Sequence, residues 1–258
     1  MKGRVLVSGR RSFAAQGLKA RLEAAGWEVE EASALGPLPA GDFKAVVNFG
    51  LPREGGLDAA REDVSRLAAF ASSHGVERFI QISSMSVYGF DLDEVDESTP
   101  IDESPLKGPY SARKVAQDMF LKSRSWPFSV TFVRPGVIVA EDGSTRTGGI
   151  WMRLAGRFGI LLGDRRTALT ETGRATLHEA ISDALSSERA LGTVIVASNT
   201  TKAAFARGRL GAIALPLPRR LVCGLAGILL SRAKAEQVRG LFSRPRVRIP
   251  SQPVRTEN

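Results

Sequence analysis

Tyr110 and Lys114 stand four residues apart in Tyr110-Ser-Ala-Arg-Lys114, and on a helix that spacing stacks two side chains on one face. A tyrosine titrates near pH ~10 in water. An ammonium held beside it stabilises the phenolate, so the hydroxyl can exchange protons with an alcohol or carbonyl near neutrality. Taken alone, such a pair also fits any solvated helix face, so its neighbours have to narrow the reading. Upstream, the apolar run Phe79-Ile-Gln-Ile82 leads into Ser83-Ser84-Met85-Ser86-Val87-Tyr88-Gly89; downstream, Val130 to Val133 leads into Arg134-Pro135-Gly136. A serine at such a strand end either hydrogen-bonds a reacting oxygen or satisfies local backbone. His178 matches no catalytic pattern and reads as a structural histidine. No Cys, His, Asp and Glu cluster has metal-ligand spacing, so no metal is expected.

These residues need a frame that ends strands and begins helices at one edge. Val5-Leu6-Val7 is a short apolar run closed by Ser8-Gly9, and Gln16 to Ala25 carries Leu18 and Leu22 at helical spacing before Gly26 stops it. Trp27 to Ala32 reads as a second strand, Ala34 to Asp42 as a Pro/Gly-rich loop, and Lys44 to Gly50 as a buried strand. A helix over Leu57 to Ser73, a strand over Arg78 to Ser83, an acidic loop from Asp91 to Glu103, a helix from Tyr110 to about Ser123 and a strand over Ser129 to Pro135 follow. Strands alternating with helices predict parallel pairing with right-handed crossovers, hence an α/β, Rossmann-like doubly wound sheet. After Pro135 the regularity weakens. A Gly-rich loop, a helix around Trp151, a helix from Ala175 to Ser186 and a strand Thr193 to Ser198 predict a small C-terminal substrate lobe. The expected division is 1–140 for the dinucleotide-binding core and 141–258 for a mixed lobe with returning core elements and a loosely held basic tail.

In their order and with these neighbours, the blocks Ser-Ser-Met-Ser-Val-Tyr-Gly, Pro-Tyr-Ser-Ala-Arg-Lys and Val-Arg-Pro-Gly resemble the extended short-chain dehydrogenase/reductases, the NAD(P)-dependent nucleotide-sugar epimerases, dehydratases and reductases. The resemblance runs from residue 1 to about residue 200. It implies that Ser84, four positions before Tyr88, is catalytic and hydrogen-bonds the reacting oxygen. Tyr110 would pass the proton while hydride moves to or from the nicotinamide, with Lys114 also reaching the ribose hydroxyls. It further places Gly9, Arg10, Arg11, Ser12, Phe13 and Ala14 in the cofactor loop, and Ser33, Asn48, Phe49, Gly50, Ile82, Ser83, Arg134, Pro135, Gly136 and Val137 along the cofactor. For substrate it points to Ser86, Tyr88, Arg146 and Trp151, with Arg153, Arg157 and Arg165 beside them; Tyr88 equally reads as a packing residue. A homodimer through the helix Tyr110 to Ser123 is implied, where Val115, Met119 and Phe120 serve either a dimer seam or the monomer core.

The chain departs from that family in three places. The family's T-G-x-x-G-x-x-G is Ser8-Gly9-Arg10-Arg11-Ser12-Phe13-Ala14-Ala15 here, so only the first glycine survives and Ser12 and Ala15 bring β-carbons where the backbone normally approaches the pyrophosphate. Both are small, and the helix N-terminus is still expected to receive a phosphate. Ser33 replaces the carboxylate that holds the adenosine ribose of NAD. Arg10 and Arg11 suit a 2′-phosphate, favouring NADP over NAD, although they equally read as two exposed arginines opening a helix. Between Val29 and Val46 there is no room for the usual helix and third strand; Asp42 and Phe43 are expected to supply part of the adenine pocket instead.

Composition bounds the alternatives. With 258 residues, 43% of them hydrophobic, the chain can bury a large core without disulfides or metals. A single cysteine, Cys223, forms no internal bridge, and no signal-like segment precedes Val5, so a cytoplasmic protein is expected. Leu221 to Leu230 is too short for a membrane span and reads as a packed helix. The net charge of +9 is scattered without interleaved aromatics, so neither nucleic acid nor membrane is an expected partner; a small molecule is, a sugar nucleotide above all. The rival class is a non-catalytic dinucleotide-binding regulatory or scaffold protein that keeps this fold.

Overall fold

The computed structural model describes residues 2–52, 54–89, 92–104, 108–145, 151–155, 158–162, 168–210, 213–217 and 246–248, the segments 151–155, 158–162 and 213–217 by backbone alone. Six parallel strands form the central sheet: β1 (Gly3–Ser8), β2 (Trp27–Ala32), β3 (Ala45–Asn48), β4 (Arg78–Ile82), β6 (Ser129–Pro135) and, returning late, β11 (Thr193–Val196). Their order across the sheet is β2-β1-β3-β4-β6-β11. The chain therefore runs outward from β1 in one direction and from β3 in the other. The carboxyl ends of β1 and β3 flank the point where strand order reverses, where open α/β sheets carry their ligand crevice.

Strand alternation sends side chains to two covers. Val5, Val7, Val47, Ile80 and Ile82 pack beneath α1 (Leu18–Ala24) and α4 (Arg174–Ser186). Leu6, Val46 and Phe79 face α2 (Gly56–Ser73) and α3 (Pro109–Lys122) through Val64, Leu67, Ala68, Ala71 and Leu121. β1 and β3 are covered on both faces, which is why they read as unbroken apolar runs. β2 is the sheet edge, buries Trp27, Val29 and Ala32, and turns Glu28 and Glu31 to solvent, charges that discourage pairing with a further strand.

Only the stretch 33–44 joins β2 to β3 and it contains no helix or strand, as the short spacing requires. Its first turn is fastened to α2: the Leu35 amide donates to Asp63 Oδ1 at 2.9 Å, and Arg66 donates to the Gly36 carbonyl. Its far end departs from expectation. Phe43 is buried against Phe70 beneath the Arg4 guanidinium, and Asp42 and Phe43 line an open cavity of about 630 Å³ with Gly3, Arg4, Lys44 and His74 at the amino ends of the strands. They are on the wrong side of the sheet for an adenine pocket, because the chain must cross that far before β3 can run parallel to β1.

Outside the central sheet, β5 (Glu94–Val95) pairs with β14 (Arg246–Val247). A second sheet joins β7 (Val137–Val139), β10 (Ala168–Gly173) and β12 (Ser198–Thr201), and a third joins β8 (Trp151–Ala155), β9 (Phe158–Leu162) and β13 (Ile213–Leu217); α5 is Lys202–Leu210. Three sequence expectations are corrected here. Trp151 opens a strand, paired antiparallel with β9, where a helix was expected. The acidic loop contains β5. Arg246 and Val247 are held in a ladder, with Val247 also exchanging hydrogen bonds with the Asn199 side chain, rather than belonging to a loose tail. Val115 is buried, Met119 packs on its cluster and Phe120 on the α2 side, so all three serve the monomer core. Residues 221–230 lie outside those described. Among the described residues no helix is long and apolar enough to cross a membrane.

Candidate active site

β4 delivers Ile82, Ser83 and Ser84 to the carboxyl edge, and there the chain turns sharply. Ser84 caps a single 3-10 turn over Met85–Val87, its Oγ accepting from the Ser86 amide at 3.1 Å. Opposite stands the start of α3, with Pro109 in the first turn, where a missing N–H costs nothing. Tyr110 follows at once. Nearly half of its surface is exposed, at 48%, and the Ser84 side chain acts on its hydroxyl from across the crevice. Burial pushes that phenol above its ordinary range; the Ser84 side chain and the Arg113 guanidinium pull the other way.

One turn on, Lys114 is buried and donates from Nζ to the Ile82 carbonyl at 2.7 Å. Burial lowers its pKa to about 8, while Asp118 and Asp63 oppose that fall. The cation that favours the phenolate here is Arg113, tied to the Pro109 and Pro52 carbonyls, and the Lys114 ammonium is spent on the strand end. The structure thus brings Ser84, Tyr110 and Lys114 to one corner, as their order in the sequence implied, but with the lysine turned beneath the serine.

Beneath this corner runs a buried polar row that the sequence reading missed. Asn48 Nδ2 donates to Gln81 Oε1 at 2.9 Å, Gln81 Nε2 to Gln117 Oε1 at 3.1 Å, and Gln117 Nε2 to the Gly50 carbonyl at 2.9 Å. Asn48 Oδ1 takes the Gly50 amide at 2.7 Å, so Asn48 shapes the turn rather than facing a ligand. Deeper still, Asp118 Oδ2 accepts from Ser83 Oγ at 2.6 Å and faces Arg134 Nη2 at 3.5 Å. Arg134 donates to the Tyr88 hydroxyl at 2.7 Å and lies over its ring, and Tyr88 donates to the Asp96 carbonyl. Two assignments change as a result. Arg134, expected along the cofactor, and Tyr88, offered as a substrate residue, are both fully buried and turned to one another and to Asp118 and Asp96. The available signal was polar residues inside apolar runs, Asn48 and Gln81, and Gln117 with Asp118 one turn after Lys114 on α3.

At the crevice, Gly9 has φ +82°, and a β-carbon there would sit 2.6 Å from the Gly50 amide nitrogen, so this glycine permits the ends of β1 and β3 to meet. The Gly9 and Arg10 amides both donate to the Ala32 carbonyl, which sets Ser33 beside the loop. The expected helix N-terminus is replaced by one 3-10 turn, Phe13–Ala15, in which Ser12 N bonds back to Gly9 O and Ala15 N to Ser12 O. Gly17, at φ +86°, separates that turn from α1. Ala15 is buried in the core, its methyl filling space that a glycine would leave. Arg10 and Arg11 are exposed. His178 holds the Ala14 carbonyl through Nε2 at 2.9 Å, the structural part read for it; burial lowers its pKa.

On the other flank, the Gly136 amide donates to Thr172 Oγ1 at 2.8 Å and Val137 opens β7. Arg146, Arg157 and Arg165 lie outside the described residues. Trp151 and Arg153 belong to β8. No three His, Cys, Asp or Glu side chains gather as a metal site would require among the described residues.

A six-stranded parallel sheet, with a serine at the end of β4 near a tyrosine and lysine on the next helix beside the strand-order reversal, defines a Rossmann-like fold. Residues 54–173, a little under half of the chain, match the model of the NAD dependent epimerase/dehydratase family. The same fold occurs in a short-chain dehydrogenase/reductase superfamily protein from Agrobacterium tumefaciens with bound NAD (17% identity, TM-score 0.67, covering 92% of this chain and 96% of that one). It occurs also in dTDP-glucose 4,6-dehydratase from Bacillus anthracis in complex with NAD (16%, TM-score 0.62, 83% and 84%) and in a human epimerase family protein with NADPH (17%, TM-score 0.63, 95% and 90%). No curated protein sequence matches this chain.

Proposed function

We propose that this chain is an NAD(P)-dependent oxidoreductase or epimerase acting on a nucleotide-activated sugar or a related hydroxyl or carbonyl compound. The observation that carries the reading is the gathering of Ser84, Tyr110 and buried Lys114 at the mouth of the crevice, with the Lys114 ammonium on the carbonyl of Ile82 at the strand end that bears Ser84. Gly9 keeps the close approach of β1 and β3 on which a dinucleotide rests, with Phe49 and Gly50 directly against it, and Ser33, Gly136 and Val137 are read as further cofactor contacts. When bound, the nicotinamide supplies or accepts hydride at the substrate carbon. Ser84 fixes the substrate oxygen by hydrogen bond, and Tyr110 gives or takes its proton. Arg113 and the Ser84 side chain both favour the phenolate that this exchange requires. Lys114 is within the same corner to meet ribose hydroxyls once its bond to Ile82 is shared. Arg10 and Arg11, with no carboxylate at position 33, favour NADP.

The second reading, a dinucleotide-binding scaffold without turnover, draws on the single 3-10 turn and the buried Ala15 methyl in the cofactor loop. Titrating the protein with NADPH and NADH by nicotinamide fluorescence separates these readings. Saturable binding with NADPH preferred, the preference lost in Arg10→Ala/Arg11→Ala, supports the first, and conversion of a UDP- or dTDP-sugar that disappears in Tyr110→Phe completes it. Binding without conversion of any sugar nucleotide or simple hydroxyl compound supports the scaffold. No binding at millimolar cofactor overturns both.

A further inference from the structure

We propose that Asp118 is a positioning residue of this site: its buried carboxylate holds the strand end that carries Ser84 in register with Tyr110 and supplies the counter-charge to Lys114. The assignment rests on the functional reading above for the claim that Ser84, Tyr110 and Lys114 act together, but its geometry stands apart from any ligand.

Tyr110, Lys114 and Asp118 succeed one another at intervals of four along α3 and so share its inner stripe. They address consecutive parts of one strand end: Lys114 donates to the Ile82 carbonyl, Asp118 accepts from Ser83 Oγ at 2.6 Å, and Ser84 bears on the Tyr110 hydroxyl. A short bond from a hydroxyl to a carboxylate is among the stronger hydrogen bonds available to a neutral donor. Together with the Ser83 amide donating to the Val133 carbonyl at 2.8 Å, it fixes the residue immediately before Ser84 from both sides. Ser84 then has one direction in which to present Oγ, because the same oxygen caps the 3-10 turn.

The charges around Asp118 are few and identifiable. Arg134 approaches from β6 at 3.5 Å, Lys114 and Lys122 stand on its own helix, and Ser83 faces it from β4. Lys114 is faced by Asp118 and Arg113 on α3 and by Asp63 on α2. Of the two carboxylates near Lys114, Asp63 is also committed to the Leu35 amide in the loop beyond β2. Asp118 alone joins the lysine to the serine-bearing strand.

The test uses the full chain without ligand and reads two titrations. In the first, the Lys114 amine is followed by NMR of 13C-labelled lysine, assigned with Lys114→Arg. It should titrate near 8 in the wild type and at least about 1 pH unit lower in Asp118→Asn, where the opposite charge is lost. In the second, the chain has two tyrosines, so absorbance of tyrosinate resolves Tyr110 with Tyr110→Phe as the blank. Its midpoint should rise in Ser83→Ala, which removes one hydroxyl, leaves the Asp118–Arg134 pair intact and loosens the placement of the Ser84 side chain that favours the phenolate. Ser83→Thr, which keeps the hydroxyl, should restore it. An unchanged Lys114 midpoint in folded Asp118→Asn overturns the counter-charge, and an unchanged Tyr110 midpoint in Ser83→Ala overturns the register. If Asp118→Asn does not fold, the Ser83 pair decides. Failure of the wild type to bind NADH or NADPH would sink the proposed function and leave both titrations able to answer.

Discussion

Replacing Lys114 by Met should make the protein more stable at neutral pH and less stable in alkali. Burial carries the Lys114 pKa from 10.5 to about 8, and at about 1.4 kcal/mol for each pH unit this makes the charged form cost the folded state about 3 kcal/mol. Between pH 8 and 10.5 the unfolded chain binds the proton that the folded chain has released, so stability rises with pH through that window and the penalty is present in full below it. Met fills a similar volume without charge, but leaves the Ile82 carbonyl without its donor, a loss of about 1 kcal/mol. The net expectation is that Lys114→Met gains about 2 kcal/mol at pH 7, loses that advantage as pH climbs, and is about 1 kcal/mol the less stable at high pH. Urea unfolding of both proteins at intervals of pH, followed by tryptophan fluorescence, measures the difference directly. A gap that stays flat with pH, or a Met variant already weaker at neutrality, would refute the claim that this lysine is held at the expense of stability.

Other perturbations separate kinds of strain. Gly9→Ala combines a left-handed backbone with overlap against the Gly50 amide and should cost about 3 kcal/mol. Gly17→Ala, equally left-handed but with open space around it, should cost only the backbone part, about 1 kcal/mol; equal losses in thermal unfolding would refute the close approach of β1 and β3. Arg134→Met strands the buried Asp118 carboxylate and should cost about 3–5 kcal/mol, most of it recovered in Arg134→Met/Asp118→Leu. A double variant no more stable than the single would show that the pair itself, rather than the orphaned charge, was stabilising. Leu67→Ala, in the wall of α2 that packs on the sheet, should lose about 3 kcal/mol and leave the Lys114 titration in place; a displaced titration would show that the site is less insulated from that wall than the separate clusters imply.

The order of elements through β6, the parallel doubly wound sheet and the missing unit between β2 and β3 were legible because each follows from local spacing, whereas the meeting of Ser84 with Tyr110 and Lys114 was implied only by the resemblance of the blocks that carry them. Apolar runs with period two or none mark strands, Leu18 with Leu22 marks a helix face, and a Tyr-x-x-x-Lys pair can only stack on one helix. What stayed hidden depended on which distant chain arrives beside which. Nothing local in Val133-Arg134-Pro135 tells that the guanidinium turns inward to Tyr88 and Asp118. Nor does Trp151 announce a strand, since an edge strand with a partner supplied from Phe158–Leu162 needs no periodicity of its own. Phe43 reached the amino end of the sheet because β3 has to start level with β1, a constraint of parallel pairing rather than of its own sequence. Residue types therefore marked Ser84, Tyr110 and Lys114 as candidates, and the structure gathers them at the end of β4. Only tertiary structure decided how Lys114 is charged and where it points, because the desolvation and counter-charges that act on it come from α2, β4 and β6, brought together by the burial of side chains far from one another along the chain.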